Sequence, residues 1–231
     1  MTKIYFGCDL IPRHWERYFR QCNALEINLE ELENPPRIDT LNRWRVESPK
    51  GFAFMLHVDP VVEQSLIQAS RTGAKKLPTT LKDAWERTMD NAQALAAKAL
   101  VMQTPVQFHP GTNSRRVLDL FAEEYLQDIQ KPIIWEAQGP WETKPTREWA
   151  AERGFAFAFD PLLAIRDEIG FHHGDGAFIL SERAGLRRDF DSYDLRALVD
   201  RLKPYNRAFF LLRGRFQWEY AQAFAELLEH D

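Results

Sequence analysis

Three carboxylates stand where apolar runs of this sequence end, and together they could carry acid–base chemistry. Glu136 closes the run that begins at Pro132, Asp160 follows the run Phe155–Phe159, and Glu26 lies near the end of a shorter run. Two carboxyl groups in different environments can have separated pKa values, so that one stays protonated as an acid while the other is an ionised base. We therefore expect Glu136, Glu26 and Asp160 to be catalytic. The alternative is a hydrogen-bonded polar layer without chemistry.

Other polar or aromatic side chains occur at similar places and are candidates for substrate binding. An arginine fork suits a phosphate or carboxylate, and an aromatic ring can stack on a ligand. The candidate binding residues are Asn28, His57, Gln103, Trp141, Arg183 and Arg213. These residues predict a small polar or anionic ligand, for which Arg183 and Arg213 would supply the anion-binding groups.

A metal site is a second interpretation of the same residue types. Nitrogen and oxygen ligands could come from His57, His109, Glu136 and Asp160. No HxH or HExxH spacing accompanies them, and such spacings are what would indicate a metal site. We therefore assign no metal ligands and leave the cofactor unknown, with a divalent metal as the remaining option.

The elements that must position these residues are short apolar runs separated by amphipathic segments. Runs such as FAFML and FAFAF show little alternation, which is typical of parallel strands covered on both faces. The predicted strands are Lys3–Gly7, Ala24–Asn28, Gly51–Val58, Leu100–Phe108, Pro132–Glu136, Phe155–Phe159, Ala177–Leu180 and Ala208–Leu212.

Helical periodicity marks the segments between the strands. The clearest helix spans Thr80–Ala99, where Thr80 and Asp83 have the spacing of a capping box. The other predicted helices are His14–Cys22, Ile38–Val46, Val61–Arg71, Ser114–Gln130, Thr146–Arg153, Ser192–Leu202 and Phe216–Glu229.

Eight such units in 231 residues, about 29 residues each, predict an α/β fold of the (β/α)8 TIM-like barrel type, with parallel strands and outer helices. We expect a single domain over residues 1–231. The carboxyl ends of the strands meet at one mouth of such a barrel, which explains why the run before Glu136 ends in a carboxylate. An open doubly wound sheet is the alternative, but no glycine-rich dinucleotide fingerprint follows the first strand.

Composition and the first residues limit the classes of partner and the cellular compartment that we expect for the protein. A net charge of −4 makes nucleic acid an unlikely partner, and the absence of an 18-residue apolar run argues against a membrane partner. The first residues have no export-signal pattern, so we expect Cys8 and Cys22 to be reduced thiols in the cytoplasm. Asp9 would raise the pKa of the Cys8 thiol, which disfavours Cys8 as a nucleophile.

The order of several motifs resembles that of the YecE-like family, also known as domain of unknown function 72. The matching segments are Leu25–Asn28, Arg43–Val58, Gln103 with Pro105, Trp135–Trp141, Asp160 and Ala177–Leu202. The resemblance implies a TIM barrel of unestablished activity. The polar positions that match the family are Glu26, Asn28, Gln103, Glu136 and Asp160.

Two functions follow from these features. The first is an enzyme that hydrolyses or isomerises a small, sugar-like and polar or phosphorylated substrate, with Arg213 and Arg183 as anchors. The second is a ligand-binding or adaptor barrel that has lost the chemistry. The second is favoured by departures from the family pattern, among them Cys8–Leu10, His57, Ala137–Gln138 and Arg213–Arg215.

Overall fold

The computed structural model of the chain describes residues 2–161, 174–180, 192–200, 202 and 205–229. These residues form two compact units that alternate along the chain. Unit 1 comprises Met1–Ile27, Ser48–Ala53 and Ala158–Asp231, and unit 2 comprises Asn28–Glu47 and Phe54–Phe157. The expectation of a single domain over residues 1–231 stays a prediction.

Eight strands form one sheet in the order β1-β8-β7-β6-β5-β4-β3-β2. Their bounds are β1 Lys3–Cys8, β2 Ala24–Ile27, β3 Ala53–His57, β4 Ala99–Thr104, β5 Ile133–Ala137, β6 Phe155–Phe159, β7 Asp175–Leu180 and β8 Arg207–Leu212. The strand pairings that involve β1, β6, β7 and β8 in unit 1 are parallel. The pairings of β4 with β3 and β5 in unit 2 are also parallel.

The first and second strands also lie side by side, so the sheet returns on itself. Asn23, just before β2, donates its amide hydrogen to the Ile4 carbonyl and accepts one from the Phe6 N–H, each at 2.8 Å. The predicted fold class, a (β/α)8 TIM-like barrel, is confirmed. Strands such as Phe155–Phe159 are buried along their whole length, as an apolar run without alternation predicts.

Eight α-helices occur within the described residues. Their bounds are α1 Trp15–Phe19, α2 Ile38–Glu47, α3 Pro60–Thr72, α4 Thr79–Ala94, α5 Thr112–Phe121, α6 Thr143–Ala151, α7 Ser192–Asp200 and α8 Gln217–Glu229. A 3-10 turn at Leu29–Glu31 follows β2, and a π-helical turn at Ala122–Leu126 follows α5. No helix in this part of the chain is long and apolar enough to cross a membrane.

Two boundary predictions are wrong for identifiable reasons. The predicted capping box does not form, because α4 begins at Thr79 with Pro78 as its N-cap, which leaves Thr80 inside the helix. Strand β4 ends at Thr104 rather than at Phe108. Pro105 has no N–H for the sheet, and Phe108 instead donates its own N–H to the Pro105 carbonyl in a turn.

Candidate functional site

Unit 2 contains a cluster of polar side chains at the carboxyl ends of three neighbouring strands. Gln103 of β4 lies opposite Glu136 of β5, and its Nε2 donates to Glu136 Oε2 at 2.7 Å. His57 ends β3 and pairs in register with Val101, two residues before Gln103 and therefore on the same face of β4. The structure thus brings three of the predicted site residues together.

A fourth member of this cluster, Glu63, comes from the first turn of α3. Sheet pairing between β3 and β4 ends where Val58 donates its N–H to the Val101 carbonyl. The chain then turns into α3, whose N-cap is Asp59. The next free N–H of β4 on this side is that of Gln103, and Glu63 Oε1 accepts it at 2.6 Å. Glu63 therefore takes the place of a strand partner.

The environment of Glu63 makes its carboxyl group unusual. Burial raises its pKa to about 7 from an ordinary value of 4.5, and the nearby Glu136 adds to the increase. The hydrogen bond from Gln103 and the charge on His57 act in the opposite direction and do not cancel the effect of burial. At neutral pH the group is present in both protonation states, which suits a proton donor or acceptor. We call Glu63, Gln103, Glu136 and His57 the Glu63–Glu136 cluster.

Unit 1 contains a second polar cluster, formed by Glu26 of β2 and Arg213 directly after β8. Arg213 donates from Nε to Glu26 Oε2 at 3.1 Å and from Nη2 to Oε1 at 2.5 Å, a bidentate pair. Glu26 is only 1% exposed and the Arg213 side chain 15%. An anionic ligand at Arg213 would have to share the guanidinium with this carboxylate. The predicted anion-binding role of Arg213 stays a prediction.

Asp9 lies beside this ion pair. Burial, followed by the charge of Glu26, raises the pKa of Asp9, while Gln217 and Arg213 act in the opposite direction. Its Oδ1 is buried without a hydrogen-bond partner among the described residues. The Arg213 guanidinium therefore acts on both acidic groups in this part of unit 1.

The other predicted site residues occupy separate places. Asn28 accepts the Glu30 N–H at 3.2 Å and caps the 3-10 turn after β2. Trp141 is 7% exposed and donates its indole N–H to the Phe108 carbonyl at 2.8 Å, within a group of aromatic rings. Asp160 follows β6 in unit 1 and is half-buried. Arg183 lies outside the described residues.

Sequence reasoning missed Glu63 because it considered only the ends of strands and the loops directly after them, not the helices that follow. A usable signal was present, since the predicted helix Val61–Arg71 places Glu63 in the first turn after β3. In a (β/α)8 unit that turn lies at the same end of the strand as the strand's last residue.

Metal ligation has no geometric support in the part of the chain that the structure describes. No group of three or more histidine, cysteine, aspartate or glutamate side chains there is arranged to hold an ion.

Comparison with known proteins places the fold among solved structures. No family model and no curated protein matches the sequence. The structure is similar to that of a DUF72 family protein from Enterococcus faecalis, with a TM-score of 0.70 and 14% identity over 99% of this chain and 98% of that one. It is also similar to a xylose isomerase-like TIM barrel/4-hydroxyphenylpyruvate dioxygenase fusion protein, with a TM-score of 0.59 and 12% identity over 98% of this chain and 42% of that one. The resemblance to the YecE-like family is thereby confirmed at the level of the fold.

Proposed function

We propose that the protein is an enzyme that transfers protons to and from a small polar, sugar-like substrate, with Glu63 as the acid and Glu136 as the base. One observation carries this proposal: two carboxyl groups, those of Glu63 and Glu136, accept hydrogen bonds from the same residue, Gln103. The main-chain N–H of Gln103 reaches Glu63 and its side-chain amide reaches Glu136. One residue therefore holds the two groups near each other.

The two carboxyl groups suit different roles. Burial gives Glu63 a pKa of about 7, so it can hold a proton at neutral pH and release it to a substrate oxygen. Glu136 accepts a hydrogen bond from the Gln103 side-chain amide, and in this proposal it is the group that accepts the proton. Acid–base catalysis by two carboxyl groups needs one that donates a proton and one that accepts a proton.

Two reaction classes fit this arrangement. In an isomerisation, Glu136 would remove a proton from the carbon beside a carbonyl group while Glu63 protonates the carbonyl oxygen. In a hydrolysis, Glu63 would protonate the leaving oxygen while Glu136 removes a proton from the attacking water. Both reactions need one protonated and one ionised carboxyl group at the start of the cycle.

Membership of the YecE-like family and a cytoplasmic location belong to the same proposal. The shared fold over nearly the full chain supports the first. The free thiols of Cys8 and Cys22 support the second, because such thiols persist in reducing compartments.

Proton-transfer activity can be tested before the substrate is known. The protein is incubated in D2O with a panel of aldoses, ketoses, their phosphates and simple glycosides, and NMR detects deuterium at carbon or released sugar. We expect turnover of at least one compound, reduced roughly 100-fold or more in E63Q and E136Q. The control E47Q changes an exposed glutamate of α2 and should leave the rate unchanged.

The pH dependence separates the assigned roles. If Glu63 is the acid, kcat/KM falls as the pH rises above about 7, and the fall disappears in E63Q. A rate that rises through the same pH range would reverse the roles of the two groups. Turnover that survives in E63Q and E136Q would place the chemistry elsewhere, and ligand binding without turnover would favour a non-catalytic barrel.

A further inference from the structure

A cavity of about 350 Å³ lies in unit 1, between the segment that follows β1, helix α1 and the start of α8. Its floor is formed by Cys8, Tyr18 and Gln217, all of which are buried. Its lip is formed by the segment that follows Asp9, in which Leu10, Arg13 and His14 are exposed. The volume falls at the lower end of the range typical of small-molecule sites. None of its lining residues belongs to the Glu63–Glu136 cluster.

The floor of this cavity presents little hydrogen-bonding capacity to a ligand. The Tyr18 hydroxyl donates to the Ala24 carbonyl at 2.7 Å and accepts the Cys8 N–H at 2.9 Å. The Cys8 thiol donates to the Gln217 carbonyl at 3.7 Å, and Gln217 Oε1 accepts the Asp9 N–H at 3.1 Å. Because these polar atoms are already paired within the protein, the floor favours the apolar part of a ligand.

The walls add apolar surface that remains open to solvent. Leu10 is 65% exposed although it is a large aliphatic residue, and Ile11, Pro12 and Trp218 line the cavity beside it. Exposed apolar side chains gathered at the lip of a cavity are a common mark of a ligand site.

The rim is basic. Arg13, His14 and Arg17 line the cavity, and no acidic residue is among the lining residues in the described part of the chain. The Arg17 guanidinium lies 5.4 Å from the centre of the Trp218 ring, a cation–π contact that holds it at the cavity wall. Basic groups around a concave apolar surface attract an anion, because the cleft concentrates their electrostatic field.

We propose that this cavity binds a small organic anion, a carboxylate or phosphate monoester on an aromatic or aliphatic body. The body occupies the space between Leu10, Trp218 and the floor. The anionic group lies at the rim, where Arg13 and Arg17 can donate charge-assisted hydrogen bonds to it. This site is distinct in its residues from the Glu63–Glu136 cluster, so either proposal can fail without the other.

Calorimetric titration of the full chain with four probes tests the combination of apolar body and charge. The probes are 1-naphthoate, 1-naphthyl phosphate, the neutral 1-naphthalenemethanol and inorganic phosphate. We expect at least one of the two naphthyl anions to bind about tenfold or more tightly than both the neutral alcohol and inorganic phosphate. The tighter of the two anions identifies whether the site prefers a carboxylate or a phosphate.

Variants at exposed positions locate the binding without threatening the fold. The double variant R13Q/R17Q should weaken binding of the naphthyl anions about tenfold or more, and L10S should weaken it several-fold. The matched control is R20Q, because Arg20 is an exposed arginine at the end of α1 that does not line the cavity. Equal binding of the alcohol, equal binding of inorganic phosphate, no binding of either anion, or unchanged affinity in R13Q/R17Q would each overturn the proposal.

Discussion

At the scale of single residues, Glu63 illustrates how a sheet that stops pairing can shape a titratable group. The Gln103 N–H would be left without a strand partner once β3 turns away after Val58. A carboxylate from the following helix accepts that N–H at 2.6 Å and is half-buried there. The hydrogen bond favours the ionised form, but the loss of hydration disfavours it by more.

Stability should therefore depend on pH through Glu63. Its pKa is about 7 in the folded protein and near 4.5 when unfolded, so the folded state binds more protons between these values. The contribution of the group to stability is fully present below about pH 4.5 and is lost as the pH rises to about 7. We expect this loss to reach about 3 kcal/mol in the free energy of unfolding. Urea unfolding at several pH values measures it.

The variant E63Q isolates this effect. A glutamine keeps an oxygen that can accept the Gln103 N–H but does not ionise. As the pH rises above 4.5, the free energy of unfolding of E63Q should therefore increase relative to that of the wild type. The surface control E47Q should run parallel to the wild type across the range. Parallel curves for wild type and E63Q would mean that Glu63 titrates near its ordinary pKa.

Residue types at strand ends predicted part of the candidate site. Gln103, Glu136 and His57 do come together, because strand-end residues of neighbouring parallel strands lie side by side. Side-chain direction and burial could not be predicted in this way. Trp141 looked available for a ligand, yet its loop packs the ring against Phe108, and its N–H is used there.

At the scale of elements, α3 is what carries Glu63 to the end of β4. The helix begins with Pro60 at its first position, which costs no hydrogen bond there. Asp59 caps it, with Oδ1 accepting the Val61 N–H at 2.9 Å. Asp59 Oδ2 also accepts a hydrogen bond at 2.8 Å from Arg87, in the middle of α4, so one carboxylate links the start of α3 to the neighbouring helix.

Replacing Asp59 should reveal which of its two interactions matters more. D59A loses the cap and should lower the free energy of unfolding by about 1–2 kcal/mol. D59N keeps a capping oxygen and loses only the ion pair to the exposed Arg87, so it should lie within about 0.5 kcal/mol of the wild type. Urea unfolding at pH 7 makes the comparison. A D59N variant as unstable as D59A would instead assign the stabilisation to the ion pair.

The order of strands and helices was the feature of the fold that the sequence predicted best. All eight predicted strands overlap the observed ones, because strands buried on both faces leave unbroken apolar runs. The ends of elements were less predictable, as Pro105 and Pro78 show. Pro105 ends strand β4 four residues before the predicted end, and Pro78 caps helix α4 without a side-chain hydrogen bond.

At the scale of the whole molecule, the fold depends on the two end strands of the sheet order, β1 and β2, meeting within unit 1. We call the contact between β1 and β2 the seam. Gly7 lies there, and a Cβ atom at this position would come within 1.9 Å of the Ala24 carbonyl oxygen. The Tyr18 hydroxyl is 2.9 Å from the same point and is itself bonded to that carbonyl. The strands can approach this closely only because residue 7 has no side chain.

The substitution G7A should therefore open the seam. The atom it meets belongs to the main chain of the neighbouring strand and cannot rotate away, so the expected loss in free energy of unfolding is about 3 kcal/mol or more. Urea unfolding measures the loss, and near-ultraviolet circular dichroism reports whether the buried aromatic side chains keep their packing. The matched control is G111A, since a Cβ at Gly111 would meet no atom within 4 Å. If G7A unfolds at the same urea concentration as G111A, β1 and β2 are not in close contact, and a sheet closed at this seam is the wrong description of the protein.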